Sequence, residues 1–441
     1  MTFDEAYAYL LALPRFAKYG TLALKPGFER IEALMEAMGQ PDTALESVLI
    51  AGTNGKGSTA SMLAAIASAT GRRVGLHTSP HLFRITERMR VNGMPAPTDW
   101  LAKTVARFRS PMDAIQPSFF EATLALSLRY FADEAVDLAV VEVGLGGRLD
   151  ATNILRPRLS VITHIGFDHM GFLGNSLQDI AREKAGIIEP DVPVLSGIER
   201  PEIRAVIAEE AQRHGAELHE AAFEVTVTPG QTGTGLTMAT PLRAYQNLNI
   251  DLPGHHQQRN ARVALRAAEI IFPALNRDAV SEGLGQVRRR TGLRGRLEVL
   301  QKAPLVIADV AHNMDGLAAV RAYVDARTNG RRYALFGMMR DKDLPAMAAS
   351  LSGMTVFPVC IPAERALSVA ELAVGLQEAG VSVVTGGPIS DGLGWFFAQA
   401  RPEDVLVVTG SHQVVAEIPV KFWPNLINPK MPENYGSKGD I

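Results

Sequence analysis

The 441-residue sequence has a single cysteine, Cys360, few aromatic residues and no long apolar run. One cysteine excludes an intrachain disulfide and a zinc site built from several thiolates. No stretch approaches the roughly 20 apolar residues that cross a bilayer. The N-terminus also lacks the basic and apolar segments of a secretory signal and has the pattern of an amphipathic helix. These absences predict a cytoplasmic protein that does not associate with membranes.

Neither positive nor negative charge is in large excess: 21% of the residues are charged, and the formal net charge is -3. Nucleic acids and anionic membrane surfaces usually require a strong basic excess, so neither is an expected partner. The cluster Arg288-Arg289-Arg290 could still meet a small anion. With 47% hydrophobic residues the composition is that of a globular protein, and the length favours two domains.

Apolar strand-like runs alternate with helical patterns along most of the sequence, which predicts parallel α/β sheets. Residues 217–252 are rich in Thr, Gly and β-branched side chains, and we interpret them as an antiparallel appendage. The segment TGLRGR (291–296) marks a boundary, after which the alternation restarts in a smaller doubly wound sheet. The expected organisation is therefore a domain at 1–293, a second domain at 294–425 and a polar tail at 426–441.

A glycine-rich segment, GTNGKGS (52–58), lies between a predicted strand and a predicted helix. In that position glycines let backbone N–H groups turn towards a phosphate, while the helix N-terminus and Lys56 supply positive charge. The segment departs from a strict Walker A motif because Gly57 follows the lysine. An ordinary glycine-rich turn with a surface lysine is the alternative, but the flanking strand and Ser58 favour nucleotide binding.

Glu142 lies near the end of a predicted buried strand and is followed by three glycines, in VVEVGLGGRLDATN (140–153). A buried carboxylate is costly unless it is paired or bound to a cation, and glycines allow a ligand to approach closely. Asp168 and His169 follow another strand, and Lys184 lies in the next helix, so these residues complete a candidate Mg²⁺ site. The alternatives are a salt-bridged glutamate before a tight turn and a structural Asp–His pair.

Together with further motifs, these segments resemble the folylpolyglutamate synthase/dihydrofolate synthase family, in its bifunctional bacterial form, which is related to the Mur ligases. The resemblance covers nearly the whole chain and rests on GTNGKGS, HTSPHL (77–82), RITERMRVNG (84–93), FFE (119–121), VVEVGLGGRLDATN, FDHMGFLGNSLQDIAREKAGI (167–187), LPGHHQQRNA (252–261), RLE (296–298), DVAHN (309–313), DKD (341–343) and TGS (409–411). It implies an α/β fold: an N-terminal P-loop ATPase domain with a parallel sheet and a smaller Rossmann-like C-terminal domain.

The resemblance also implies roles for individual residues. The nucleotide-binding residues that it implies are Gly52, Thr53, Asn54, Gly55, Lys56, Gly57, Ser58, Asn260, Arg296 and Asp309. Lys56, Lys184 and His312 form the implied catalytic set. His312 and Ser411 would hold the incoming glutamate, and Phe120 would pack on the pterin-bearing substrate.

For the metal, the resemblance implies that Ser79, Glu142 and His169 hold Mg²⁺, with a monovalent cation as a second bound ion. Lys184 resembles the family lysine that becomes carbamylated. Addition of CO₂ turns a cationic side chain into a carboxylate, which would supply the negative charge that this site otherwise lacks.

The implied reaction joins L-glutamate to dihydropteroate and to reduced folates. ATP phosphorylates the substrate carboxylate, the amine of glutamate attacks, and ADP and phosphate leave. Phosphorylation is needed because a free carboxylate would have to expel oxide. Positioning and charge neutralisation then dominate the catalysis. A monomer is expected.

Two segments depart from the family pattern. DVAHNMDG has Val310 and Met314 where glycine and proline are usual, so the turn after Asp309 is expected to differ. GHHQQRN doubles a histidine, and we assign His256 as the family-equivalent one.

Three other functions are alternatives. A Mur-type ligase shares the reaction, but it usually carries a UDP-sugar-binding domain first, and a phosphate loop at residue 52 leaves no room for one. A regulatory NTPase would not need a second α/β domain with DVAHN and TGS segments. A pure binding module leaves Glu142 and His169 unexplained.

Overall fold

The computed structural model describes residues 1–14, 27–230 and 233–423. Their contacts form two compact units. Of the described residues, the first comprises those within 1–81, 85–251 and 256–293, and the second comprises 82–84, 252–255 and 294–423. The polar tail expected at 426–441 lies outside the described residues.

The first unit is built on an eight-stranded sheet. Its strands are β1 (Ser47–Ala51), β2 (Val74–His77), β3 (Met89–Val91), β4 (Met94–Pro95), β5 (Leu138–Glu142), β6 (Leu159–Ile162), β7 (Val194–Ser196) and β8 (Leu218–Glu220). They lie in the order β4-β3-β2-β5-β1-β6-β7-β8. All neighbours are parallel except β2 with β3 and β3 with β4. The predicted parallel sheet is confirmed, with an antiparallel edge that the sequence pattern did not predict.

Helices connect these strands and cover the sheet. They are α1 (Phe3–Ala12), α2 (Glu29–Ala37), α3 (Lys56–Ala69), α4 (Thr98–Ile115), α5 (Phe119–Asp133), α6 (Met170–Leu173), α7 (Leu177–Ala185), α8 (Pro201–Arg213), α9 (His255–Ile271), α10 (Arg277–Gly285) and α11 (Val287–Thr291). Every residue of β1 and of β5 is buried. Central parallel strands covered on both faces require such continuous apolar sequence.

A separate antiparallel sheet of three strands follows, with β9 (Glu224–Gly230), β10 (Gly233–Ala239) and β11 (Ala244–Leu248). It lies within the appendage expected at 217–252. That expectation is wrong for Leu218–Glu220, because β8 pairs in parallel with β7 in the large sheet. The preceding helix α8 returns the chain to the same end of the sheet, which is the connection that parallel pairing requires.

The second unit contains a six-stranded sheet with β12 (Glu298–Lys302), β13 (Leu305–Ala308), β14 (Arg332–Phe336), β15 (Thr355–Pro358), β16 (Ser382–Val383) and β17 (Val405–Thr409). The order is β12-β13-β17-β14-β15-β16, and only β12 is antiparallel to its neighbour. Its helices are α12 (Met314–Asp325), α13 (Leu344–Ala348), α14 (Val369–Glu378), α15 (Ile389–Phe397) and α16 (His412–Ala416).

Both faces of this smaller sheet are covered by apolar clusters. Leu406 and Val408 belong to one cluster, whereas Val405 and Val407 belong to the other. Successive strand residues point to opposite faces, so this alternation requires packing on both sides. The predicted smaller doubly wound sheet is thereby confirmed. None of the described helices is long and apolar enough to span a bilayer.

Candidate active site

The turn between β1 and α3 has the backbone geometry that only glycine adopts readily. Gly52 has a φ of 149° and Gly55, the residue before α3, a φ of 86°. A Cβ atom on Gly52 would lie 2.0 Å from Thr163 Oγ1, and one on Gly55 would lie 2.3 Å from Asn260 Oδ1. Neither position has space for a side chain. The turn leads directly into the N-terminus of α3, which attracts anions.

Lys56 folds back over this turn. Its Nζ donates to the carbonyl oxygens of Gly52 at 2.9 Å and Thr53 at 3.3 Å. The ammonium therefore lies on the loop itself, where it adds to the positive potential of the helix terminus. Ser58, two residues further along, is buried in the first turn of α3.

The turn is fixed to the chain that follows β6. Thr53 N donates to His164 O at 2.6 Å, and Thr53 Oγ1 donates to Gly166 O at 3.0 Å. Thr163 Oγ1 lies 2.8 Å from Asn54 O. These bonds hold the loop against the neighbouring parallel strand, so the backbone donors are positioned before any ligand binds.

Glu142 is the last residue of β5 and is 5% exposed. Its Oε2 accepts a hydrogen bond from Ser79 N at 3.0 Å, and Ser79 follows β2, the strand next to β5. Burial lowers the pKa of Arg88 to about 10, and the negative charge of Glu142 acts on that pKa in the opposite direction. The structure thus brings together two of the three expected metal ligands, Glu142 and Ser79.

The glycines after Glu142 allow their loop to pack on the C-terminal end of α7. A Cβ atom on Gly147 would lie 2.6 Å from Glu183 O and 2.7 Å from Lys184 O. Arg148 N donates to Glu183 O at 2.9 Å. This close contact joins two motifs that are far apart in sequence, since Gly147 and Lys184 are separated by 37 positions.

Lys184 is 4% exposed, and burial lowers its pKa to about 7. The nearby charge of Lys56 lowers the pKa further, whereas Asp168, Asp150 and Glu183 raise it. A buried amine with this pKa exists substantially in its neutral, nucleophilic form near neutral pH. The phosphate-loop lysine and Lys184 therefore share one electrostatic environment.

His169 adopts a left-handed conformation, with a φ of 50°, immediately before α6. Asp168 Oδ1 accepts from His169 N at 2.9 Å and lies 3.8 Å from its Nε2. In the ranges that the structure describes, no group of three or more His, Cys, Asp or Glu side chains is arranged around a metal position. A metal at Glu142 would therefore take hydroxyl or water oxygens as well, which suits Mg²⁺ because it retains several waters.

Phe120 lies against the same glycine loop. A Cβ atom on Gly144 would lie 2.6 Å from Phe120 Cζ. The ring of His77 meets Phe120 edge-on, with centroids 6.0 Å apart, and His77 Nδ1 lies 2.8 Å from Ser127 Oγ. Burial lowers the pKa of His77 to about 3, so this imidazole is neutral.

The start of α5, which carries Phe120, is fixed by contacts that no sequence motif had singled out. Glu121 completes a capping box at the start of α5, accepting from Ser118 N at 2.6 Å, and Arg30 pairs with it at 3.0 Å. The S-x-x-E pattern is a recognisable helix-start signal. Arg30 is 91 positions from Glu121 and has no comparable local signal.

Asp150, which the sequence pattern had not singled out as a site residue, organises the glycine loop. Its carboxylate accepts hydrogen bonds from Leu145 N at 2.8 Å, Thr152 N at 3.0 Å and Thr152 Oγ1 at 2.6 Å. Burial raises the pKa of Asp150, and these hydrogen bonds act in the opposite direction. The Asp-x-Thr pattern before the 3₁₀ turn Ala151–Ile154 could have identified it as a cap.

Within the second unit, Asp309 is buried at the end of β13. Its oxygens accept from Leu297 N at 2.7 Å and Ala311 N at 2.8 Å. Burial raises the pKa of Asp309, and the nearby charges of Arg296 and His312 oppose that shift. Asp309, Arg296 and His312 are therefore close neighbours.

Ser411 follows β17 and caps α16, accepting from Gln413 N at 3.1 Å. At the departures from the family pattern, Val310 is buried and Met314 is the exposed first residue of α12. A Cβ atom on Gly295 would lie 2.9 Å from Val310 Cγ1, so Val310 fills the space beside a residue without a side chain.

The expected residues thus fall into two groups. The first unit contains the phosphate loop with Asn260 beside it, the Glu142–Ser79 pair, and Lys184, whose pKa is influenced by Lys56. The second unit brings together Arg296, Asp309, His312 and Ser411. His256 Nε2 lies 3.1 Å from Gln257 Nε2, and Gln257 Oε1 accepts from Asn260 Nδ2 at 2.9 Å, so His256 is linked to the first group through Gln257.

Comparison with known protein families gives two matches. The family model for the Mur ligase middle domain matches residues 50–268, and that for the Mur ligase, glutamate ligase domain matches residues 295–412. Among curated proteins, the chain is similar to the dihydrofolate synthase/folylpolyglutamate synthase of Bacillus subtilis. The two are 35% identical over 344 residues, which cover 74% of this chain and 79% of the relative.

Solved structures agree with this similarity. Escherichia coli FolC in complex with DHPP and ADP superposes with a TM-score of 0.84 at 31% identity, covering 94% of this chain and 96% of the other. A bifunctional folylpolyglutamate synthase/dihydrofolate synthase with Mn, AMPPNP and L-glutamate bound gives a TM-score of 0.82 at 30% identity, covering 94% and 97%.

Proposed function

Because the chain belongs to the dihydrofolate synthase/folylpolyglutamate synthase family, we propose how its residues serve the reaction of that family. The chain is an ATP-dependent ligase that joins L-glutamate to dihydropteroate and to reduced folates. The proposed route phosphorylates the acceptor carboxylate, after which the glutamate amine displaces phosphate. ADP and phosphate are the by-products.

The observation that carries this route is the shared environment of Lys56 and Lys184. Lys56 Nζ lies on the phosphate loop, and its charge contributes to lowering the pKa of Lys184, so an anion bound beside both amines would relieve their repulsion. Lys56 and the turn amides would neutralise the terminal phosphates of ATP as negative charge shifts during transfer. Neutral Lys184 is the form that adds CO₂, so its lowered pKa supports a carbamate at this position.

Ser79, Glu142 and His169 are the proposed Mg²⁺ ligands. The buried carboxylate of Glu142 and the adjacent Ser79 provide the oxygen-rich surroundings that Mg²⁺ prefers. Held by these residues, Mg²⁺ would supply positive charge that reduces the repulsion between the nucleotide phosphates and the attacking carboxylate. A carbamate on Lys184 would add a further negative group. A monovalent cation is proposed as a second bound ion.

Phe120 is the proposed contact for the pterin ring, because its own ring is held between Gly144 and His77. Asn260, beside Gly55, is proposed to reach the nucleotide from the first unit. In the second unit, Arg296 and Asp309 are proposed to do the same, and His312 and Ser411 to hold glutamate. That the glutamate ligase domain model matches 295–412 supports the glutamate assignment.

The test is an assay of purified protein with ATP, Mg²⁺ and labelled L-glutamate, using dihydropteroate and tetrahydrofolate separately as acceptors. Labelled product and phosphate should form with both. Hydroxylamine in place of glutamate should trap the acyl phosphate as a hydroxamate. Lys56→Ala should lose both activities, whereas the matched control Lys103→Ala, an exposed lysine of α4, should keep them. Product formation without any trapped hydroxamate would contradict the acyl phosphate.

The monomeric state and the cytoplasmic location stay predictions. Light scattering coupled to gel filtration tests the first, and fractionation of the source cells tests the second.

A further inference from the structure

Two loops leave the carboxyl edge of the second unit's sheet side by side. Strands β13 and β17 are parallel neighbours, with Ala308 opposite Val408. Residues 309–312 follow the first strand and residues 410–412 follow the second. Gly410 N donates to Ala311 O at 3.0 Å, so the two loops are joined directly. In open α/β sheets this edge is where ligands bind.

The second of these loops is fixed by Gly410. Its φ is 104°, and a Cβ atom there would lie 2.3 Å from Gly337 O and 2.7 Å from the ring of Phe336. The chain therefore turns sharply from β17 into α16, and His412 becomes the first residue of that helix. The side chain of His412 is consequently presented at a defined position at the edge of the sheet.

The imidazole rings of His312 and His412 are neighbours, with centroids 5.8 Å apart and planes inclined at 47°. Both residues are partly exposed. His312 Nδ1 lies 3.0 Å from Val310 O. Because a carbonyl oxygen only accepts, Nδ1 carries the hydrogen in that bond, and Nε2 is the nitrogen at which the ring can gain a proton. His412 places a second imidazole, with its own N–H donor, beside this ring, and His312 donates at Nε2 when that nitrogen carries a proton.

We propose that His412 is a further glutamate-binding residue, which contacts a carboxylate of the incoming glutamate together with His312. The inference rests on the proposed function, because it takes His312 and Ser411 as the residues that hold glutamate. Glutamate carries two carboxylates, and only its amine takes part in the bond that forms. A carboxylate beside both rings can accept a hydrogen bond from each of them.

An assay with hydroxylamine distinguishes a glutamate-binding role of His412 from a structural one. Hydroxylamine is an amine nucleophile without a carboxylate, so it consumes the same acyl phosphate without using a carboxylate-binding residue. His412→Phe keeps an aromatic ring beside His312 and removes both nitrogens. We expect the KM for L-glutamate to rise about tenfold or more, the size of one lost charged hydrogen bond. The KM for ATP and the hydroxamate rate should stay at the wild-type level.

His412→Gln, which retains an amide N–H donor, should give a KM between those of the wild type and His412→Phe. The matched control is His214→Phe, a partly exposed histidine at the end of α8, which should leave the KM for glutamate unchanged. Hydroxamate formation by each variant also shows that it is folded.

An unchanged KM for glutamate in His412→Phe would overturn the inference. So would an equal loss of the glutamate and hydroxylamine reactions, because that result indicates a structural residue. Failure of the wild type to form any hydroxamate would overturn the acyl phosphate proposal and the inference with it. If the wild type is active and forms the hydroxamate but His412→Phe has an unaltered KM for glutamate, only the inference about His412 is overturned.

Discussion

Replacing Lys184 by methionine is expected to make the ligand-free protein more stable while removing most of its activity. Burial lowers the pKa of this lysine from its ordinary 10.5 to about 7. At about 1.4 kcal/mol per pKa unit, the charged form therefore costs the folded state about 5 kcal/mol. Methionine has a similar length and no charge, so it should remove most of that cost without leaving a large cavity.

The stabilisation should depend on pH in a defined direction. The folded-state pKa of Lys184 is below that of the unfolded chain, so the unfolded chain binds more protons between about pH 7 and 10.5. The stability of the wild type should therefore rise with pH across this window. The advantage of Lys184→Met should be about 5 kcal/mol at pH 6, about 2 kcal/mol at pH 9 and close to zero above pH 10.5.

Urea unfolding followed by circular dichroism at pH 6 and pH 9 would measure the difference. Lys103→Met is the matched control, because it makes the same substitution at an exposed lysine of the first unit. The control should show no pH-dependent gain. Equal stability of wild type and Lys184→Met at both pH values would refute the desolvation argument. Full activity of the variant would show that the buried amine has no catalytic role.

Three further predictions follow from the site. The spent nucleotide should be ADP, because Lys56 and the turn hold the terminal phosphates, and chromatography that finds AMP and pyrophosphate would indicate adenylate chemistry instead. Lys184→Ala should lose most activity and recover part of it with a small added carboxylic acid; the absence of any rescue would count against a carbamate. A folate carries one more glutamyl unit than dihydropteroate, so its pterin ring should lie at a different place relative to the reacting carboxylate. Phe120→Ala should therefore raise the KM for dihydropteroate more than that for reduced folates, and parallel assays that show equal losses would contradict this placement.

Features that depend on neighbouring residues could be predicted from the sequence. The strand–glycine–helix order around Gly52–Ser58 predicted the turn before α3, because glycine alone adopts the φ values found there without strain. Continuous apolar runs predicted the buried parallel strands. The antiparallel edge of β3 and β4 escaped prediction, because short strands carry little periodic signal.

The partners of the site residues depend on the tertiary structure. Asn260 beside Gly55 and Arg30 on Glu121 are contacts between segments far apart in sequence. No pattern in a single sequence specifies which segments meet, since many arrangements bury the same apolar faces.

The sequence by itself therefore determined the class of fold and the family, and it indicated candidate site residues, because glycines, strand-end carboxylates and loop lysines act through local geometry. Only the tertiary structure decided the protonation of Lys184, the neutral state of His77 and the pairing of His312 with His412. Burial and the distances between charges set those properties, and both arise only when distant parts of the chain pack together.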